Sequence, residues 1–75
     1  MKSDKTLDCV GLFCPMPIVK TKQEIDGMKP GQTLEVIADD PGFESDLPNW
    51  CDLAGHKFLG MEKDDRLLKG YVIKK

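Results

Sequence analysis

Seventy-five residues, 40% hydrophobic and 32% charged, are expected to form one domain over residues 1–75 with a single small core, at a size that buries only about 60% of the unfolded chain's surface. A net charge of −2 argues against direct nucleic-acid binding, which needs a basic face. No apolar run approaches the roughly 18 residues of a membrane span, and residues 1–5 lack the apolar segment of a secretory signal, so the expectation is a cytoplasmic protein without membrane insertion. Three cysteines, with no C-x-x-C pair, argue against a secreted disulfide framework and a thioredoxin-type motif, and leave at least one thiol free.

Thr6 to Val10 alternates as a short strand, with Leu7 and Cys9 on one face, so Cys9 is expected in the core. Gly11 breaks the pattern, and Gly11-Leu12-Phe13 forms a loop leading to Cys14-Pro15-Met16-Pro17. From Pro15 to about Met28, Ile18, Ile25 and Met28, with Val19 and Thr21 beside them, give a helical stripe, leaving Lys20, Gln23 and Glu24 for solvent. Lys29-Pro30-Gly31-Gln32 has proline and glycine at the central positions of a type II turn. Thr33 to Ala38 follows as an inner strand, with Leu34, Val36 and Ala38 sharing a face.

Asp40 and Pro41 are placed as N-cap and first residue of a second helix, whose buried face is Phe43, Leu47, Trp50, Cys51 and Ala54. Pro48 is expected to kink that helix or restart it with Asp46 as a new cap, and Gly55 to end it. His56 to Glu62 and Leu67 to Ile73 read as an antiparallel hairpin joined by Lys63-Asp64-Asp65-Arg66. Only the first five and last two residues are left free to fray. The order β-α-β-α-β-β implies an α+β fold: a two-layer α/β sandwich with a four-stranded mixed sheet and both helices on one face.

Chemistry concentrates at Cys14. Proline suits the first helical turn, where N–H groups have no intrahelical partner, so Pro15 falls at the first helical position and Cys14 at the N-cap. The helix N-terminus favours thiolate, but by at most about 2 kcal/mol, a shift of roughly one pKa unit. Pro15 and Pro17 also remove two donors, leaving the Met16 and Ile18 N–H groups as the first able to approach the sulfur. The pattern describes a rigid, exposed perch for a thiol that another protein must reach. The alternative for Cys14 is an inert small hydrophobe, to which a glycine-led loop followed by two prolines is poorly suited. Cys9 and Cys51 read as core, although the closeness of Cys9 in sequence leaves a resolving-thiol role open. His56 reads as a surface residue, and no ligand pair has the spacing of a zinc site. Lys20, Lys22 and Lys29 group around the first helix and Asp39, Asp40, Glu44 and Asp46 in the middle, each read first as a solvated face.

Leu7-Asp8-x-x-Gly11-Leu12-x-Cys14-Pro15-x-Pro17 resembles the opening signature of the TusA/SirA-like sulfur carrier family, and the likeness continues through Pro30-Gly31, Ala38-Asp39-Asp40-Pro41, Asp46-x-Pro48 and the closing hairpin. The resemblance implies a two-layer α/β sandwich like the C-terminal domain of a translation initiation factor, in agreement with the order read above. It implies that Cys14 accepts a persulfide sulfur from a cysteine desulfurase or a rhodanese and relays it to an acceptor protein. The routes served by such carriers are tRNA thiolation, molybdenum-cofactor synthesis, sulfur oxidation and thiosulfate assimilation, and some relatives work beside a membrane transporter. Gly11, Pro15 and Pro17 then support the motif, while Phe13, Met16 and Lys20 are candidates for partner docking; Phe13 and Met16 could equally be loop residues closing the core. No cofactor and no metal are implied. The motif contains no general base, which suits a sulfurtransferase-type carrier better than an independent catalyst. Two other functions are weighed: a regulatory or adaptor domain with a redox-sensitive cysteine, and a thiol-disulfide oxidoreductase pairing Cys14 with Cys9 or Cys51.

Overall fold

The computed structural model describes residues 3–13 and 16–75. Its elements are β1 (Lys5–Asp8), α1 (Met16–Asp26), β2 (Thr33–Ala38), α2 (Phe43–Ala54), β3 (Lys57–Asp64) and β4 (Leu67–Ile73). The four strands form one sheet in the order β1-β2-β4-β3, with β1 parallel to β2 and the remaining pairs antiparallel. The expected α+β sandwich with a mixed sheet is thus the observed one.

The alternation of β2 sets the two sides of the sheet. Leu34, Val36 and Ala38 are fully buried and join Cys9, Leu68 and Val72 under the helices, with Ile25 from α1 and Phe43, Leu47 and Cys51 from α2 completing the core. Burying a side chain such as Leu or Val contributes roughly 1.5–3 kcal/mol, so a chain this short depends on most of them. α2 packs closely over Gly70 of β4: a Cβ there would collide with the Leu47 side chain and crowd Met61.

Local signals behaved as their chemistry requires at the first turn. The Gln32 N–H donates to the Lys29 carbonyl at 3.1 Å and Gly31 has φ 90°, which closes the Pro30-Gly31 turn. Gly55, at φ 82°, ends α2 in the left-handed conformation, with the His56 N–H donating to the Cys51 carbonyl at 3.0 Å.

Four readings are corrected. Of the expected α1 stripe, Ile25 and Met28 are buried with Thr21 beside them and Ile18 is half-buried against the core, but Val19 is exposed and Pro17 takes a buried place instead. Thr21 can lie inside because its hydroxyl donates to the Pro17 carbonyl at 2.7 Å. Asp40 is not the N-cap of α2. Its Oδ1 accepts the Gly42 N–H and its carbonyl accepts the Phe43 N–H, forming a turn that delivers the chain to a helix starting at Phe43. Of the two expectations at Pro48, the restart with Asp46 as a new cap is not observed: the helix continues through Pro48 as one element, with Phe43, Leu47 and Cys51 buried on one face although proline cannot donate to the Glu44 carbonyl. Ala54, expected inside, is exposed.

The termini are more engaged than their composition implies. The Asp4 N–H donates to the Thr33 carbonyl at 2.8 Å, and Thr33 N–H returns to the Asp4 carboxylate at 2.8 Å. At the other end, the Lys74 ammonium donates to the Met28 carbonyl at 2.8 Å, beyond the C-terminus of α1, where a cation is favoured. The hairpin also differs in detail: only Asp65 and Arg66 lie outside the strands, and β3 carries an irregularity between Phe58 and Gly60.

Candidate functional site

Because β1 and β2 are parallel, their C-terminal ends emerge on the same side, and both lead into loops there. The β1 loop is wound by specific hydrogen bonds. Cys9 N–H continues the ladder to the Ile37 carbonyl at 2.7 Å, Val10 N–H donates to the Asp8 carboxylate at 2.9 Å, and Leu12 N–H closes onto the Cys9 carbonyl at 3.1 Å. Gly11 occupies the third position of that turn with φ 87°, a conformation that side-chain-bearing residues rarely adopt. Its N–H, which the turn leaves unused, donates to Asp39 Oδ1 at 3.0 Å. Asp39 directly follows β2, so the two loops are clasped together.

Cys14 and Pro15, the centre of the motif, lie outside the described residues. The residues on either side are described. Met16 N–H donates to the Phe13 carbonyl at 2.8 Å, so this donor, expected to be available to sulfur, is instead committed to the backbone. Pro17 is buried and anchors the start of α1. Leu12 packs against the core, whereas Phe13 is 78% exposed and Val10, Met16 and Val19 are also exposed. Four of the five exposed large hydrophobic side chains among the described residues therefore lie within ten positions of chain around Cys14; the fifth, Leu53, is on α2. Lys20, one turn along α1 from Met16, is exposed.

The other cysteines are poor nucleophiles. Both are free and buried. Burial pushes the Cys51 thiol up to about 11. The Cys9 thiol is also raised, by burial and then by the Asp8 charge, against a lowering influence from Lys20. Each therefore stays protonated near neutrality, which removes support from a resolving or disulfide-forming role. His56, expected at the surface, is half-buried: its ring lies 5.5 Å from that of Trp50, and its Nδ1 accepts the Lys75 N–H at 3.2 Å. Among the described residues, no three His, Cys, Asp or Glu side chains are grouped to hold a metal ion.

Two features were missed in the sequence. Asp39 is exposed, as its place among the solvated acids implies, but it also links the two loops; the only sequence signal for this is its place at the end of a predicted inner strand. Beside it, between the start of α2 and the tip of the hairpin, is an open cavity of about 330 Å³ lined in part by Asp39, Glu44, Lys63, Arg66 and Leu68. Lys63 and Glu44 form an ion pair across it at 2.9 Å. No helix among the described residues is long and apolar enough to cross a membrane.

Comparison with known proteins matches residues 5–75 to the family model described as sulfurtransferase TusA. YrkI of Bacillus subtilis (strain 168), provisionally named a sulfur carrier protein, is 46% identical over 74 residues covering 99% of each chain. YrkF of the same organism and a protein of Aquifex aeolicus (strain VF5), with the same provisional name, are each 43% identical over 74 residues, 99% of this chain. This chain spans only 40% and 38% of their respective lengths. The crystal structure of a SirA-like protein from Desulfitobacterium hafniense superposes with a TM-score of 0.79 over 92% of this chain and 95% of that one; at 21% identity it supports the fold alone.

Proposed function

Starting from the fact that this chain belongs to the TusA sulfurtransferase family, we propose that it is a sulfur carrier whose Cys14 holds the sulfur in transit. The Cys14 thiolate attacks the terminal sulfur of a donor protein's persulfide, the donor's S–S bond breaks, and the donor leaves as a thiolate. An acceptor thiolate then takes the terminal sulfur from Cys14-S-SH and regenerates the Cys14 thiolate. Each transfer replaces one S–S bond by another, so neither a reductant nor a cofactor is consumed.

The observation that carries this reading is the exposed apolar border of the motif. Val10, Phe13, Met16 and Val19 are left in water on both sides of Cys14 in a chain that needs nearly all its apolar residues for packing. Such a border is suited to docking protein partners, with Lys20 attracting acidic groups at its edge. Gly11, at φ 87°, and the buried Pro17 fix the described chain on either side of the motif, and on this reading Pro15 is a supporting residue with them. The donor is a cysteine desulfurase or a rhodanese and the acceptor a thiol protein working in the cytoplasm or beside a membrane transporter. The acceptor determines whether the sulfur reaches tRNA, molybdenum cofactor or an oxidation or assimilation route.

The same border also fits an adaptor whose cysteine is incidental or redox-sensitive, and Cys14→Ser separates the two. A carrier variant binds its donor with affinity within about threefold of wild type, yet passes no labelled sulfur to an acceptor. An adaptor with the same substitution retains its function.

A further inference from the structure

The loop that leads to Cys14 is tied to the rest of the molecule in an asymmetric way. Of its consecutive N–H groups, Val10 donates to the carboxylate of Asp8 two residues earlier and Leu12 to the carbonyl of Cys9, so both bonds remain within the segment. Cys9 belongs to the strand ladder. Beyond that ladder, the described residues of the loop have one side-chain bond to a distant part of the chain, from Gly11 N–H to Asp39 Oδ1 at 3.0 Å, spanning 28 positions. Asp39 is well placed to act as a fixed post. Ala38, before it, pairs with Leu68 in the sheet, and Asp40, after it, is held by its turn to Gly42 and Phe43.

We propose that Asp39 is a positioning residue for sulfur transfer: its carboxylate, acting through Gly11, holds the Cys14-bearing loop in the orientation that a docked partner requires. This rests on the carrier reading above. The mechanism needs an acceptor oxygen at Asp39 rather than its charge, since the Gly11 N–H is neutral. The effect belongs to transfer between docked proteins, where a small displacement of the reacting sulfur is costly. Asp39 is exposed, so the bond contributes little to global stability.

The test loads Cys14 from a desulfurase with cysteine and compares wild type, Asp39→Ala and Asp39→Asn, together with hydrogen exchange at the Gly11 amide. Asp39→Ala is expected to slow transfer about three- to tenfold and to speed Gly11 exchange, with the thermal midpoint little changed. Asp39→Asn, which keeps an acceptor oxygen, restores both. Transfer by Asp39→Ala at the wild-type rate overturns the proposal, as does an Asn variant as slow as Ala, which would assign the effect to charge. A wild-type protein that loads from neither a desulfurase nor a rhodanese overturns the carrier reading itself, whereas the exchange result still reports whether Asp39 holds the loop.

Discussion

Tyr71 and Gly70 are neighbours on β4 that face opposite sides of the sheet, and each makes a separate demand. Tyr71 is buried on the side away from the helices, where its hydroxyl donates to Glu35 Oε2 at 2.8 Å and lies 3.4 Å from Glu62 Oε2. The bond to Glu35, followed by burial and the two carboxylate charges, pushes the phenol up to about 12 from an ordinary 10.0. The folded chain thus holds this proton more tightly than the unfolded chain. The resulting stability is present in full below about pH 10 and is lost as pH rises through about 12. Since the chain has one tyrosine, phenolate absorbance reports it alone: the native midpoint should stand well above that of the unfolded chain, and Glu35→Gln should lower it. A native midpoint near 10.0 would refute the assignment. On the other face, Gly70→Ala should lower stability in urea by about 1–3 kcal/mol, because the new methyl must displace Leu47 or lift α2 from the sheet. An unchanged midpoint would show that α2 sits less closely than the structure has it.

Among the elements, α2 combines an unfavourable interior residue with a buried face. Its interior Pro48 cannot donate to the Glu44 carbonyl, but Phe43, Leu47 and Cys51 are buried on one side of it. Pro48→Ala should therefore stabilise the protein by about 1–2 kcal/mol, the restored helix propensity being partly offset by a freer unfolded chain. Destabilisation would mean that the proline ring fills space that alanine leaves empty. The same helix shows where sequence reading reaches its limit. The Pro30-Gly31 turn, the β2 alternation and the Gly55 stop were legible because each depends on a few adjacent residues. Whether α2 continues or restarts at Pro48 was not, since it depends on burial against β4, more than twenty residues later. The start of α2 was misplaced for a related reason: Asp40 and Pro41 are standard helix-opening residues, but here the Asp40 carboxylate forms a turn first.

At the scale of the whole molecule, the parallel β1–β2 pair brings together segments that the chain separates. The signature around Leu7–Leu12 and the acidic segment after Ala38 both belong to the family resemblance, but their meeting at Gly11 and Asp39 depends on strand register and has no local trace. The glycine was legible, and its conformation is the reason it is needed. Likewise, composition could not decide whether Phe13 and Met16 close the core or face solvent; the structure leaves both exposed. Under the carrier function proposed above, this end of the sheet serves one reactive thiol, Cys14, while Cys9 and Cys51 are free and buried in the core. The most direct test is the intact mass of the protein after incubation with a cysteine desulfurase and cysteine, without reductant, for wild type and Cys14→Ser. Wild type should gain one sulfur atom that reductant removes, and Cys14→Ser should gain none. A Cys14→Ser protein that takes up sulfur as readily as wild type would contradict the assignment of Cys14 as the carrier.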